Sequence, residues 1–204
     1  MSLNAPNAVT LASAACALAG LSVLSTHDTW ATVPAATAVV GVCVGLSLIF
    51  DRLDGMLARR LGLSSPMGER LDTLADLLAF GVLPACLLVR RSPTATTYVI
   101  AGVYALGAVW RLARYEPAEL AVKGRWGECF RGFPTPAGAA GVVVAVGVVD
   151  TFALPHAVEL TGALAMAALM PSSVAYPKRG IGAVPWAVLV PVSVVSMLVR
   201  ALGV

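Results

Sequence analysis

The stretch DRLDGMLARRLGLSSPMGERLDTLAD, residues 51–76, holds four aspartates, Asp51, Asp54, Asp72 and Asp76, between two apolar runs long enough to enter a bilayer. An ionised carboxylate in such surroundings is costly unless it is paired or metal-bound. Asp51 and Asp54 are three residues apart, and Gly55 and Ala58 follow at four and seven from Asp51, so all four share one helix face. Gly68, Asp72 and Asp76 are spaced by four and form a second stripe. Between the stripes, Gly62, Ser64, Ser65 and Pro66 end one helix and start the next, so the stripes can face each other across a hairpin. Four converging carboxylates repel and take up protons unless cations neutralise them. Hard divalent cations such as Mg²⁺ or Mn²⁺ suit an oxygen-only donor set, and a two-metal site commonly clamps a phosphate ester or diphosphate for displacement. The small side chains of Gly55 and Ala58 leave room for a bulky ligand on the same face. Paired intramembrane acids also line ion and proton pathways, and small residues at spacing four also serve helix packing. The charge pattern alone therefore leaves three readings open: a metal-dependent enzyme, a transporter and a structural ion-pair cluster.

The elements that must position these acids are membrane helices. Of 204 residues, 58% are hydrophobic and 12% charged, with a mean hydropathy of +0.85, whereas about a quarter of a soluble domain's residues are charged. Apolar runs fall near 7–26, 32–58, 69–90, 94–115, 135–153, 156–173 and 182–203, each near the ~20 residues a hydrocarbon core requires. The expectation is an all-α polytopic transmembrane helical bundle of about seven spans. Six or eight remain possible, because the run at 156–173 is short and carries Glu159. No long polar stretch or fixed-period repeat marks a second domain, so residues 1–204 read as a single integral-membrane domain. No Lys or Arg precedes Arg52, so the first run reads as a retained helix rather than a cleaved signal.

Orientation follows from the basic residues. With the 51–76 region on the cytoplasmic side, Arg52, Arg59, Arg60, Arg70, Arg111, Arg114, Lys123, Arg125, Arg131, Lys178 and Arg179 lie inside, and Arg90, Arg91 and Arg200 outside. Eleven against three is a positive-inside bias. The small net charge of +3 adds little, since basic residues at a membrane surface usually anchor helix ends among anionic lipids, and no nucleic-acid partner is expected. Cys16, Cys43, Cys86 and Cys129 are scattered without ligand spacing and read as small apolar residues. His27 and His156 fall at span ends away from the aspartates and are expected to be structural.

Read as one string, Asp51, Asp54, Gly55, Ala58, Arg59, Gly68, Asp72 and Asp76 match, with no substitution, D-x2-D-G-x2-A-R-x8-G-x3-D-x3-D. The chain thereby resembles the CDP-alcohol phosphotransferase family. Its members are polytopic helical enzymes, usually homodimers, that transfer a substituted phosphate from a CDP-linked donor to an alcohol and release CMP. Further stretches are similar to the bacterial and archaeal phosphatidylserine synthases of that family: PNAVTLAS, SSPMGERLDTLADLLAFGVLPA, WRLARYE, FRGFPTPAGAAG and LMPSSVAYPKRG, in the same order along most of the chain.

The resemblance implies specific roles. Asp51, Asp54 and Asp72 would coordinate two divalent ions, Mg²⁺ or Mn²⁺, with Asp76 contributing and acting as general base on the acceptor hydroxyl. Asp51, Asp54, Gly55, Ala58, Arg59 and Gly68 would bind the CDP moiety, Gly55 and Ala58 on the cytidine side. Arg59 would contact phosphate or tie the hairpin together, the alternative being a snorkelling helix-end arginine. Arg60 and Arg70 read as anchors. The implied substrates are CDP-diacylglycerol and L-serine, used at the cytoplasmic face of a prokaryotic cell membrane. A serine carboxylate calls for a planar, permanently charged donor, and the candidates are Arg111, Arg114 and Arg131. Glu116 stands where the synthases typically have Asn, which leaves another amino-alcohol, inositol phosphate or glycerol phosphate open as acceptor.

Overall fold

Local chemistry explains where the helices begin and end. The computed structural model describes residues 4–26, 33–114, 122–124, 127–173, 175–177, 191–195 and 199. Helix α1 (Ala5–Ser25) carries a proline in its first turn, where a missing N–H leaves no bond unmade. Helix α2 (Val33–Leu61) gives way to Gly62 at φ +64°, a left-handed conformation that glycine adopts without steric cost. Three residues later Ser65 caps α3 (Pro66–Asp76), its Oγ accepting from Gly68 N at 3.1 Å, with Pro66 at the first helical position. A π-helical turn (Leu77–Val82) then leads into α4 (Leu83–Arg91), and the whole of Pro66–Arg91 forms one span. Thr94 caps α5 (Ala95–Ala113) by accepting from Thr97 N at 3.2 Å. Helix α6 (Thr135–Phe152) stops at Ala153, which adopts φ 51°, and α7 (Ala157–Leu169) follows.

Among the described residues, five helical stretches are long and apolar enough to cross a membrane: Ala5–Ser25, Ala35–Leu61, Pro66–Arg91, Ala95–Ala113 and Thr135–Phe152. They occupy the first five expected runs, and the 13-residue α7 occupies the sixth. This is an integral membrane protein built as an all-α polytopic bundle. The seventh run, 182–203, lies outside the described residues except for 191–195 and 199, which are helical. Three short strands are added: β1 (Val122–Gly124), β2 (Gly127–Arg131) and β3 (Ala175–Pro177), antiparallel in that order, with Val122 opposite Cys129 and Cys129 opposite Pro177. They join the segment after α5 to the segment after α7.

The core is aliphatic. Val40 and Val44 of α2, Leu83, Leu87 and Leu88 of α4, and Val142, Val143 and Val146 of α6 are buried together around Phe80 and Tyr104. Small residues let the helices close: a Cβ at Gly107 of α5 would lie 3.0 Å from Ala167 O of α7, so the two backbones are in contact there.

Because the spans alternate in direction, the start of α2 and the ends of α4 and α6 meet at the bundle end opposite the aspartates. Arg91, with a side chain only 3% exposed, occupies that end. Its Nη2 donates to Asp150 Oδ1 at 2.6 Å, its Nε to Glu159 Oε2 at 3.0 Å and its Nη1 to Thr37 Oγ1 at 3.3 Å. His156 Nδ1 stands 3.0 Å from Glu159 Oε1. Arg91 is thus no lipid-facing anchor but the hub that ties α2, α4, α6 and α7 together. Removing one partner of a buried pair typically costs about 3–5 kcal/mol, since the other charge stays buried and uncompensated. Arg91→Leu is therefore expected to lower the thermal unfolding midpoint of the purified protein in detergent by about 10 °C. A shift below about 2 °C, less than a single kcal/mol produces in a chain of this size, would contradict the hub.

Candidate functional site

The hairpin between α2 and α3 sets the site. Its turn brings the last three turns of α2 and the three of α3 to one end of the bundle, both packed against α1, and carboxylate oxygens of Asp51, Asp72 and Asp76 come within 4.8 Å of one another. These are three acids from two helices, all partly buried. The fourth, Asp54, is buried at 6% exposure and turned towards α1, where Thr10 Oγ1 stands 2.7 Å from its Oδ2. The sequence gives Asp54 the same standing as the other three, whereas the structure sets it apart by a hydrogen bond from a helix 44 residues away.

Beside the acids lies a cleft of about 180 Å³ between α1 and the hairpin. Asp54, Gly55, Ala58, Arg59, Gly68 and Asp72 line it from the hairpin, and Pro6, Asn7 and Thr10 line it from α1. The small residues keep it open. A Cβ at Gly68 would stand 3.0 Å from Asn7 Oδ1, and one at Gly55 would stand 3.3 Å from the Arg59 guanidinium. Arg59 thus reaches back over the cleft. A larger cavity of about 740 Å³ opens between α1, α4 and α5 towards the Arg90 end, lined by apolar residues such as Leu21, Leu24, Val82 and Val89. It holds none of the acids and is not this site.

The arginines expected at the acceptor end separate. Arg111 of α5 is buried at 6% exposure and is the positive charge acting on Asp76. Arg114, at the end of α5, is exposed and donates from Nη1 to Pro171 O at 3.3 Å. Arg131 stands on β2 opposite Ala175, and its side chain lies outside the described residues, as does Glu116. The structure therefore sets Arg111 within electrostatic reach of Asp76, and directs Arg114 to a backbone carbonyl.

Two features of the site were absent from the expectations. Thr10 as partner of Asp54 is one, and the π-helical turn directly after Asp76 is the other. Pro84 inside an otherwise helical run is the only sequence signal for the second, because an interior proline removes a helix bond and demands a local adjustment.

Three carboxylates within 4.8 Å make an oxygen-only donor set of the kind Mg²⁺ and Mn²⁺ prefer, and the adjoining cleft is lined by small and polar residues. Comparison with known proteins agrees with that chemistry. The chain is 36% identical over 133 residues to the CDP-diacylglycerol–serine O-phosphatidyltransferase of Methanocaldococcus jannaschii, covering 65% of this chain and 61% of the relative. It is 34% identical over 140 residues to the protein of the same name from Mycobacterium leprae, covering 54% and 45%. It is 31% identical over 147 residues to the archaetidylserine synthase of Methanothermobacter thermautotrophicus, covering 68% and 58%. The matched part spans about half the length of these relatives. Residues 3–174, which contain the hairpin, the cleft and α5, match the CDP-alcohol phosphatidyltransferase family, and the chain belongs to it.

Proposed function

We propose that this protein transfers a phosphatidyl group from CDP-diacylglycerol to L-serine, giving phosphatidylserine and CMP. The observation that carries the reading is the convergence of Asp51, Asp72 and Asp76 beside a cleft lined by Asp54, Gly55, Ala58, Arg59 and Gly68. The names of the relatives support serine as the acceptor.

Asp51, Asp72 and Asp76, with Asp54 at their side, would hold the divalent ions, two in this reading and either Mg²⁺ or Mn²⁺. When bound, such ions neutralise a diphosphate and the charge that develops on a departing phosphate. The chain's own residues supply the remainder. Gly55 and Ala58 leave space for the cytidine, and Arg59 reaches over the cleft towards the diphosphate. Asp76 takes the proton from the serine hydroxyl as that oxygen attacks the phosphorus bearing the diacylglycerol. The bond from that phosphorus to the CMP oxygen breaks, and CMP leaves. Arg111, beside Asp76, receives the serine carboxylate and so points the hydroxyl at the base.

In this reading the site faces the cytoplasm of a prokaryotic cell, an orientation that the positive-inside bias supports, and the lipid donor enters sideways from the bilayer. Homodimeric assembly is part of the same family-based reading. An ion-coupled transporter fits less well: among the described residues the buried charges Asp54, Arg111 and Glu159 lie at the two ends of the bundle, with aliphatic core between them.

An acceptor panel tests the assignment. Purified protein is incubated with CDP-diacylglycerol and Mn²⁺ together with L-serine, glycerol phosphate, inositol phosphate or ethanolamine, and the lipid product is identified by mass. L-serine is expected to give the highest kcat/KM. Preference for any other alcohol would overturn the acceptor and leave the reaction class standing.

A further inference from the structure

Asp76 ends the regular part of α3, and the π-helical turn Leu77–Val82 follows at once. The N–H of Leu83 donates to Leu78 O, five residues back, so the turn holds one residue more than an α-helical turn. Two residues favour that wide turn. Pro84 has no N–H, so the α-helical bond from position 84 to Phe80 O cannot form. Tyr104 of α5, fully buried, donates its hydroxyl to the same Phe80 carbonyl at 2.8 Å. The two helices touch at this level, since a Cβ at Gly81 would stand 3.2 Å from Ala108 Cβ. Tyr104 and Arg111 are seven residues apart on α5, two turns along one face. That face supports the wide turn at one level and sets a positive charge on Asp76 at the next.

We infer that Tyr104 is a positioning residue for Asp76: it gives the Phe80 carbonyl the donor that Pro84 lacks and so holds the turn in its wide form. Beyond the turn, Leu83, Leu87 and Leu88 are fixed in the core. Gaining or losing one residue in the turn therefore moves the other side: α3 would rotate by about 100° and shift by about 1.5 Å. Asp72 and Asp76 would then leave the face that meets Asp51. The hydroxyl of Tyr104 thus couples a hydrogen bond in the core to the geometry of the carboxylates, and its effect on turnover rests on the transfer reaction proposed above.

Two variants test this. Tyr104→Phe keeps the ring and removes only the hydroxyl. Adding Pro84→Ala restores an N–H at position 84, able to close the α-helical bond to Phe80 O. At saturating Mn²⁺ the single variant is expected to lose about 10²-fold in kcat, as small misplacements of a reacting group do. The KM for CDP-diacylglycerol should stay near its wild-type value. Mn²⁺ affinity, measured by titration without substrate, should fall about tenfold, the scale of a lost supporting hydrogen bond at a metal site. The double variant should regain the wild-type thermal midpoint while kcat and Mn²⁺ affinity stay low. A single variant with wild-type kcat and Mn²⁺ affinity overturns the inference. So does a double variant whose activity returns together with its stability, which is the behaviour of a merely structural tyrosine. A wild type that binds Mn²⁺ but releases no CMP with any alcohol overturns the reaction reading alone, and the Mn²⁺ titrations then decide the role of Tyr104.

Discussion

Replacing Asp72 or Asp51 by asparagine is expected to abolish transfer and most metal binding while leaving a folded protein. Each change keeps the size of the side chain and removes one charged oxygen from a cluster whose carboxylates lie within 4.8 Å of one another. Metal coordination contributes several kcal/mol of charge stabilisation to a phosphoryl displacement, so turnover should fall by at least about 10³-fold. The fold should persist, because both side chains are partly exposed at the end of the bundle. Relief of carboxylate repulsion should even steady the hairpin against heat in the absence of metal. CMP release, Mn²⁺ titration and thermal unfolding of each variant check the three parts. Unchanged Mn²⁺ affinity in both variants would sink the metal assignment.

Asp76→Asn separates the base from the ligands. Loss of a general base typically costs about 10²–10⁴-fold in rate. Asp76 lies farther along α3 than Asp72 and within electrostatic reach of Arg111, outside the set of residues lining the cleft. Donor binding should therefore be nearly untouched, and the loss should appear in kcat with the KM for CDP-diacylglycerol close to wild type. A matching loss of donor affinity would move Asp76 into the purely metal-binding group.

The hairpin could be read from the sequence because its instructions are local. Gly62 supplies the left-handed residue, Ser65 the cap and Pro66 the first helical position, all within five residues of one another. The two aspartate stripes follow from spacings of three and four along helices whose existence the hydropathy makes plain. Apart from the π-helical turn, the missed features are pairings between distant segments. Thr10 reaches Asp54 across 44 residues, Tyr104 reaches Phe80 across 24, and Arg91 reaches Asp150 and Glu159 across 59 and 68. Arg91 shows why such pairs escape: at the end of an apolar run it has the same local pattern as a lipid-facing anchor, and only the return of α6 and α7 to that end supplies its carboxylates. Pro84 interrupts the run, but a proline alone does not distinguish a kink from a π-helical turn. The outcome depends on the Tyr104 hydroxyl, which another helix provides.

The most direct test of the account is the metal dependence of CMP release by the wild-type protein. Purified protein, stripped with chelator and returned to Mn²⁺ or Mg²⁺ in steps, is given CDP-diacylglycerol and L-serine, and CMP and lipid product are measured together. No CMP is expected from the stripped protein, with restoration by added metal and one phosphatidylserine formed for each CMP released. Full activity in the presence of chelator, or metal-restored protein that yields neither product, would contradict the account.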